Sequence, residues 1–113
     1  MNPKLDRLQE ITGRLRSGRP FTRRTLERTN GEISGSTEEH FPFDPQALVN
    51  EAVQLNADLN AARLVGDESI IHAAAMVYFL EAAEKYAGPE SVTRLHRSRD
   101  EIRKQLDAIG VQL

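Results

Sequence analysis

Apolar positions recur at helical spacing along most of the chain. The first helix is predicted over residues 3–16, where three- and four-residue steps separate Leu5, Leu8, Ile11 and Leu15. Asn2 and Pro3 are favourable residues for its start, and the stretch 17–20 contains Gly and Pro that end it. A short helix over about 22–30 follows, ending at Asn30-Gly31. Residues 31–43 show no periodicity, so they are expected to form a loop or mobile linker.

Three longer helices are predicted in the remainder. Asp44-Pro45 starts one that runs to about Val65, with a seam formed by Leu48, Ala52, Leu55, Leu59 and Ala62. The next, about 68–87, ends at Gly88-Pro89 and is apolar on nearly every side, so it must be covered by other elements. The last, about 90–109, has a seam formed by Val92, Leu95, Ile102, Leu106 and Ile109.

These elements predict an all-α fold: an antiparallel bundle of three long helices preceded by a basic N-terminal helical arm. We expect residues 1–43 to be the arm and linker, and residues 44–113 to be the bundle and its dimerisation or partner-binding core. Three helices barely cover so apolar a middle helix. Either the N-terminal helix folds over it, or a second copy of the chain does, and the surplus seam favours a homodimer.

Charge is distributed unevenly, although the net charge is only −2. Residues 1–31 carry eight basic and three acidic side chains, whereas residues 32–90 carry two basic and eleven acidic ones. The basic third could bind an acidic partner or could pair with its own chain. The chain has no cysteine and no apolar run long enough for a membrane span, so we expect a soluble cytoplasmic protein that does not bind membranes.

Catalytic and cofactor chemistry are not expected from the sequence. His40, His72 and His96 have no metal-ligand spacing, and neither a nucleophile–base motif nor a phosphate-binding glycine loop is present. His72, in the apolar helix, is expected to be a buried, hydrogen-bonded core or interface residue. We therefore predict a protein that is not an enzyme and has no cofactor or metal.

Residues 4–40, which contain GRPFTRRTL, resemble the opening of winged helix-turn-helix regulators. That resemblance implies a DNA-binding regulator that uses residues 1–40 as a degenerate helix-turn-helix, with its recognition helix at residues 36–40. Glu38 and Glu39 would repel DNA phosphates there, so we do not expect nucleic-acid binding and keep it as an alternative. A small secretion chaperone or immunity protein is a further alternative.

The stretch DESIIHAAAMVYFLEAAEKYAGPESVTRLHRSRDEIRKQL, together with the chain's size and lack of cysteine, resembles the small bacterial quorum-sensing antiactivators. The resemblance implies a helical dimer that binds the ligand-binding domain of a LuxR-type transcriptional activator. Such a protein is a negative regulator that blocks the activator's dimerisation or DNA binding.

Candidate contact residues come from the apolar stripes instead of from a family motif. A helical surface binds a partner by laying apolar side chains into a groove, and each such residue could equally belong to the chain's own core. For partner binding or the dimer interface we predict Phe41, Phe43, Ile70, Ile71, Val77, Leu95, Ile102 and Leu106.

Overall fold

The chain folds into a set of packed helices from which a β-hairpin projects. A computed structural model describes residues 2–113, and this range contains four α-helices and two strands: α1 Pro3–Ser17, β1 Phe21–Thr29, β2 Glu32–Phe41, α2 Pro45–Ala61, α3 Asp67–Ala83 and α4 Pro89–Ala108. A 3-10 turn, Glu84–Tyr86, continues α3. The all-α prediction is therefore wrong, because β1 and β2 pair as an antiparallel sheet.

The hairpin forms where a short helix and a loop were predicted. Asn30 and Gly31 both have positive φ, 53° and 82°, which suits the two-residue turn that joins Thr29 to Glu32. Arg24 lies opposite Glu38 and forms a salt bridge with it. Asn30-Gly31 therefore turns one strand into the next instead of ending a helix. Residues 36–40 lie in β2, so the recognition helix of the helix-turn-helix alternative is absent.

The helix ends follow local capping chemistry. The Asn2 side chain accepts a hydrogen bond from the Lys4 N–H at 3.1 Å, and that of Asp44 accepts one from the Ala47 N–H at 3.1 Å. Gly18, with φ 63°, donates its N–H to the Arg14 carbonyl at 3.0 Å and closes α1. Helix α2 ends at Ala61, short of the predicted Val65, and Arg63 just beyond it adopts a φ of 51°.

Helix α3 is the central element, as its composition requires. It packs against α1 on one side and α4 on another, while α2 packs mainly against α1. The core consists of Leu5, Leu8, Ile11, Leu15, Ala52, Leu59, Ala75, Phe79, Leu80, Ala82 and Ala83. The prediction of three bundle helices preceded by a separate arm is wrong, because α1 supplies four of these side chains and folds over α3.

Part of the basic N-terminal charge is paired with the acidic α2 helix. Arg7 donates to both carboxylate oxygens of Glu51, at 2.6 and 2.8 Å, and Lys4 lies 3.3 Å from Asp58. The hydrogen bonds from Arg7 lower the pKa of Glu51, and those from Gln54 and Lys4 lower the pKa of Asp58. These contacts join α2 to α1.

Candidate protein-binding surfaces

A groove lies between α2 and α4, with α3 as its floor. It exists because α2 packs mainly on α1 while α4 packs on α3, which leaves space above the middle helix. The groove contains two cavities of about 380 and 280 Å³ that share Asn56 and Met76 in their linings. We call this feature the α2–α4 groove.

The floor of the α2–α4 groove has the spacing of a helix–helix seam. The α3 residues that line it are Ser69, His72, Ala73, Met76, Phe79, Leu80 and Ala83. Steps of three and four residues place them on one stripe, which spans about 21 Å from Ser69 to Ala83 at 1.5 Å per residue. The stripe has the length of about four helical turns; Ser69, Ala73 and Met76 are half-buried, and its other four residues are buried.

The walls of the groove are apolar and partly exposed. Val49 and Val53 of α2 face Leu95 of α4 across the first cavity, and Ile102 of α4 lines the second. Val53 is 58 % exposed. Two of the predicted contact residues, Leu95 and Ile102, line the α2–α4 groove. Val53 and Met76 were not predicted as contact residues, although the sequence pattern does place Val53 beside the α2 seam, where it widens the apolar face.

Polar groups occur at both ends of the groove. At the end near Gly88, Arg94 is exposed and takes no part in the ion pairs of α4 within the described residues. Towards the other end, His72 Nε2 and Asn56 Oδ1 are 2.8 Å apart, so the tautomer protonated at Nε2 donates to the amide oxygen. Burial lowers the pKa of His72, which favours the neutral ring. The site thus favours an apolar occupant with an acidic group at one end.

A second apolar surface lies between α1 and α3. Ile71 and Tyr78 are 43 % and 37 % exposed and line a shallow cavity of about 330 Å³ together with Gly13 of α1. The Arg16 guanidinium lies 5.3 Å from the centre of the Tyr78 ring and covers part of it. Part of the apolar surface of α3 therefore stays exposed, as expected for a helix that is apolar on nearly every side in so short a chain.

The other predicted contact residues are used mainly within the chain. Val77 and Leu106 are 0 % and 2 % exposed, so neither is available at the surface. Phe43 packs on the core, with its ring centre 5.6 Å from that of Tyr86, and Phe41 stacks against Phe21 at 5.7 Å. Ile70 is half-buried on α3.

Comparison with known proteins identifies no family for this chain. No protein-family model, curated protein or solved structure matches the chain. Across residues 2–113, helices fall short of the length and hydropathy that a membrane span needs. In the same range no cluster of three or more His, Asp or Glu side chains is arranged to hold a metal ion. Function is therefore inferred from the surfaces of the helices.

Proposed function

We propose that this protein is a binding protein that captures an amphipathic helix of another protein in the α2–α4 groove. The observation that carries the proposal is the space between α2 and α4, whose apolar walls at Val53 and Leu95 are partly exposed, with half-buried Met76 of α3 at its floor. A helix laid along the groove would insert apolar side chains between Val53 and Leu95. This is the usual way in which a helical groove recognises a partner.

The charged and polar side chains at the ends of the groove indicate which residues a docked helix should carry. Arg94 is the charged side chain at the end near Gly88, so an Asp or Glu at the corresponding end of the docked helix would form an ion pair at the rim. Asn60 and Gln105, at the opposite end, suit uncharged polar side chains. The expected occupant is therefore a helix of about four turns with an apolar stripe and an acidic residue near one end.

The resemblance to quorum-sensing antiactivators supplies the class of partner. In this proposal the bound helix belongs to the ligand-binding domain of a LuxR-type activator, and its capture keeps the activator from dimerising or engaging DNA. The protein acts stoichiometrically as a negative regulator, and the encounter takes place in the cytoplasm. Specificity comes from the apolar match along the groove together with the rim charge.

Val53→Glu tests the groove. A carboxylate at this wall position would lose water when a helix docks, so we expect the dissociation constant for a LuxR-type ligand-binding domain to rise at least about tenfold, or about 1.4 kcal/mol. Isothermal titration calorimetry with the purified domain measures it. Val65→Glu is the matched control, because Val65 is 82 % exposed and lies outside the groove.

Two results would overturn the proposal. Wild-type protein that does not bind LuxR-type ligand-binding domains would exclude the partner class. Equal affinity of the Val53→Glu and Val65→Glu variants for such a domain would exclude the groove as its binding site. Far-ultraviolet circular dichroism of both variants establishes that the helices are intact.

A further inference from the structure

The β-hairpin has no partner in the chain along most of its length. Within the described range all of β1 is exposed, and so is β2 except at Gly35 and Phe41. Its base is held by Phe21 and Phe41, with the Arg14 guanidinium 4.6 Å from the centre of the Phe21 ring. An isolated two-stranded hairpin is marginally stable in water, so strands of nine and ten residues that stand clear of the core gain much from a further strand.

The two edges of the hairpin differ in their ability to accept a strand. On β2 the pairing register shifts so that Ser34 is left over, a bulge next to Gly35. Bulges and glycines interrupt edge pairing. β1 is continuous, contains neither Gly nor Pro, and has three threonines and one phenylalanine, which favour β-structure. The outer edge of β1 is therefore the open one.

The sequence of β1 is complementary to itself in one antiparallel register. A two-fold axis between neighbouring antiparallel strands runs perpendicular to the sheet, so each residue i faces residue 2c−i of the second copy, where c is the residue on the axis. With Thr25 on the axis, the whole strand from Phe21 to Thr29 is paired. Arg23 then faces Glu27 of the second copy, and the reciprocal pair forms on the other side of the axis.

Neighbouring registers place like charges opposite each other. With Arg24 on the axis, the two copies of Arg24 face each other directly. With Leu26 on the axis, Arg24 faces Arg28 of the second copy. In the register centred on Thr25, Arg24 faces Leu26 instead and keeps its salt bridge to Glu38 within its own hairpin. Opposed like charges destabilise strand pairs, so charge selects the Thr25 register.

We infer that β1 is a dimerisation edge, and that it pairs antiparallel with β1 of a second copy about Thr25. The product is a continuous four-stranded sheet in the order β2, β1, β1 and β2, with one helical body at each end. This interface is separate from the α2–α4 groove. The dimer therefore carries two grooves, and neither surface depends on the other.

Charge exchange across the interface tests the register. Glu27→Arg places Arg23 opposite an arginine of the second copy. The double variant Arg23→Glu, Glu39→Arg places two acidic residues opposite each other, while it preserves the charge pair between positions 23 and 39 within each hairpin. We expect wild-type protein to have twice the 12.7 kDa chain mass in light scattering. In each variant alone, the dimer dissociation constant should rise at least tenfold.

Mixing the two variants gives the decisive measurement. In the mixed dimer both inter-copy pairs are attractive again, so an equimolar mixture should regain wild-type dimerisation although each variant alone dimerises at least tenfold more weakly. Dimerisation of Glu27→Arg alone at wild-type strength would overturn the inference, as would a wild-type protein that is monomeric at high micromolar concentration. A mixture of folded variants that stays monomeric would also overturn it.

A single cysteine locates the axis directly, because the chain has none of its own. Thr25→Cys should form an inter-copy disulfide under mild oxidation, since the two side chains face each other at the axis. Thr37→Cys is the matched control. It lies opposite Thr25 in the same hairpin, but the two copies of position 37 are three strand spacings apart, about 14 Å. Equal cross-linking of the two variants would overturn the register.

Failure of this inference and failure of the proposed function are distinguishable. Val53→Glu should leave the dimer intact. Glu27→Arg should leave binding to the LuxR-type domain, counted per chain, unchanged.

Discussion

At the scale of single residues, His72 is a group whose acid–base behaviour is changed by the fold. It is buried on the floor of the α2–α4 groove, and its ring hydrogen-bonds to Asn56. Burial with a hydrogen-bonded neighbour is what its position on an apolar helix predicted. The partner could not be predicted, because Asn56 lies on a different helix and only the packing of α2 beside α3 brings the two together.

Protonation of His72 should destabilise the fold in mildly acidic solution. Its pKa in the folded protein lies below the ordinary 6.5, so the unfolded chain binds more protons as the pH falls past that value. The stabilising contribution is complete above about pH 6.5 and is lost as the pH falls through the folded-state pKa. We expect urea unfolding to give a smaller free energy at pH 5.5 than at pH 7.5 in wild type, and a smaller difference in His72→Gln.

The control for this prediction is Gln9→Ala at an exposed position without a titratable side chain, which should keep the wild-type dependence on pH. The acidic pairs do not interfere. Glu51 and Asp58 have lowered pKa values in the folded protein, so both stabilise it as carboxylates. That contribution is lost only when the pH falls below the ordinary pKa values of 4.5 for Glu51 and 3.8 for Asp58. Identical pH dependence in wild type and His72→Gln would contradict the assignment.

At the scale of single elements, the long helices were predictable and the hairpin was not. Apolar spacing and the caps at Asn2 and Asp44 place the starts of α1 and α2 to within a residue or two, because these signals are local. The hairpin lacks a buried face, so its strands do not show the alternation of apolar and polar residues that marks a strand. Asn30-Gly31 was the available signal for it.

Helix α1 should contribute strongly to stability, since it is a core element and not an arm. Leu8 is 0 % exposed and lies within the core cluster. Leu8→Ala should lower the free energy of unfolding by about 2–5 kcal/mol, through lost burial and the cavity left behind. Denaturant titration measures the change, with the adjacent exposed position Gln9→Ala as the control. A loss below about 1 kcal/mol for Leu8→Ala would mean that α1 docks only weakly in solution.

At the scale of the whole molecule, the hairpin and the helical body should be separable. Residues 21–41 contribute no fully buried side chain to the core, and their two ends are neighbours because Phe21 pairs with Phe41. Replacing Phe21–Phe41 with a short Gly/Ser linker should therefore change the melting temperature of the helical body by only a few degrees. The same variant should be monomeric, and it should still bind through the groove.

Calorimetry and light scattering of this deletion variant test both expectations. A helical body that no longer unfolds cooperatively would mean that the hairpin is needed for folding. A deletion variant that remains dimeric would mean that the dimer contact lies on the helices, where Ile71 and Tyr78 are exposed apolar candidates.

The sequence by itself determined the helices and the central place of α3, because helix formation and the need to bury an apolar segment depend on residues near one another in the chain. Tertiary structure decided which helices cover α3 and where a groove remains between α2 and α4. Whether Leu8 meets α3, and whether α2 stands apart from α4, depends on contacts between segments forty or more residues apart, such as Arg7 with Glu51. Local spacing does not encode those contacts, so the groove became visible only when the helices were packed together.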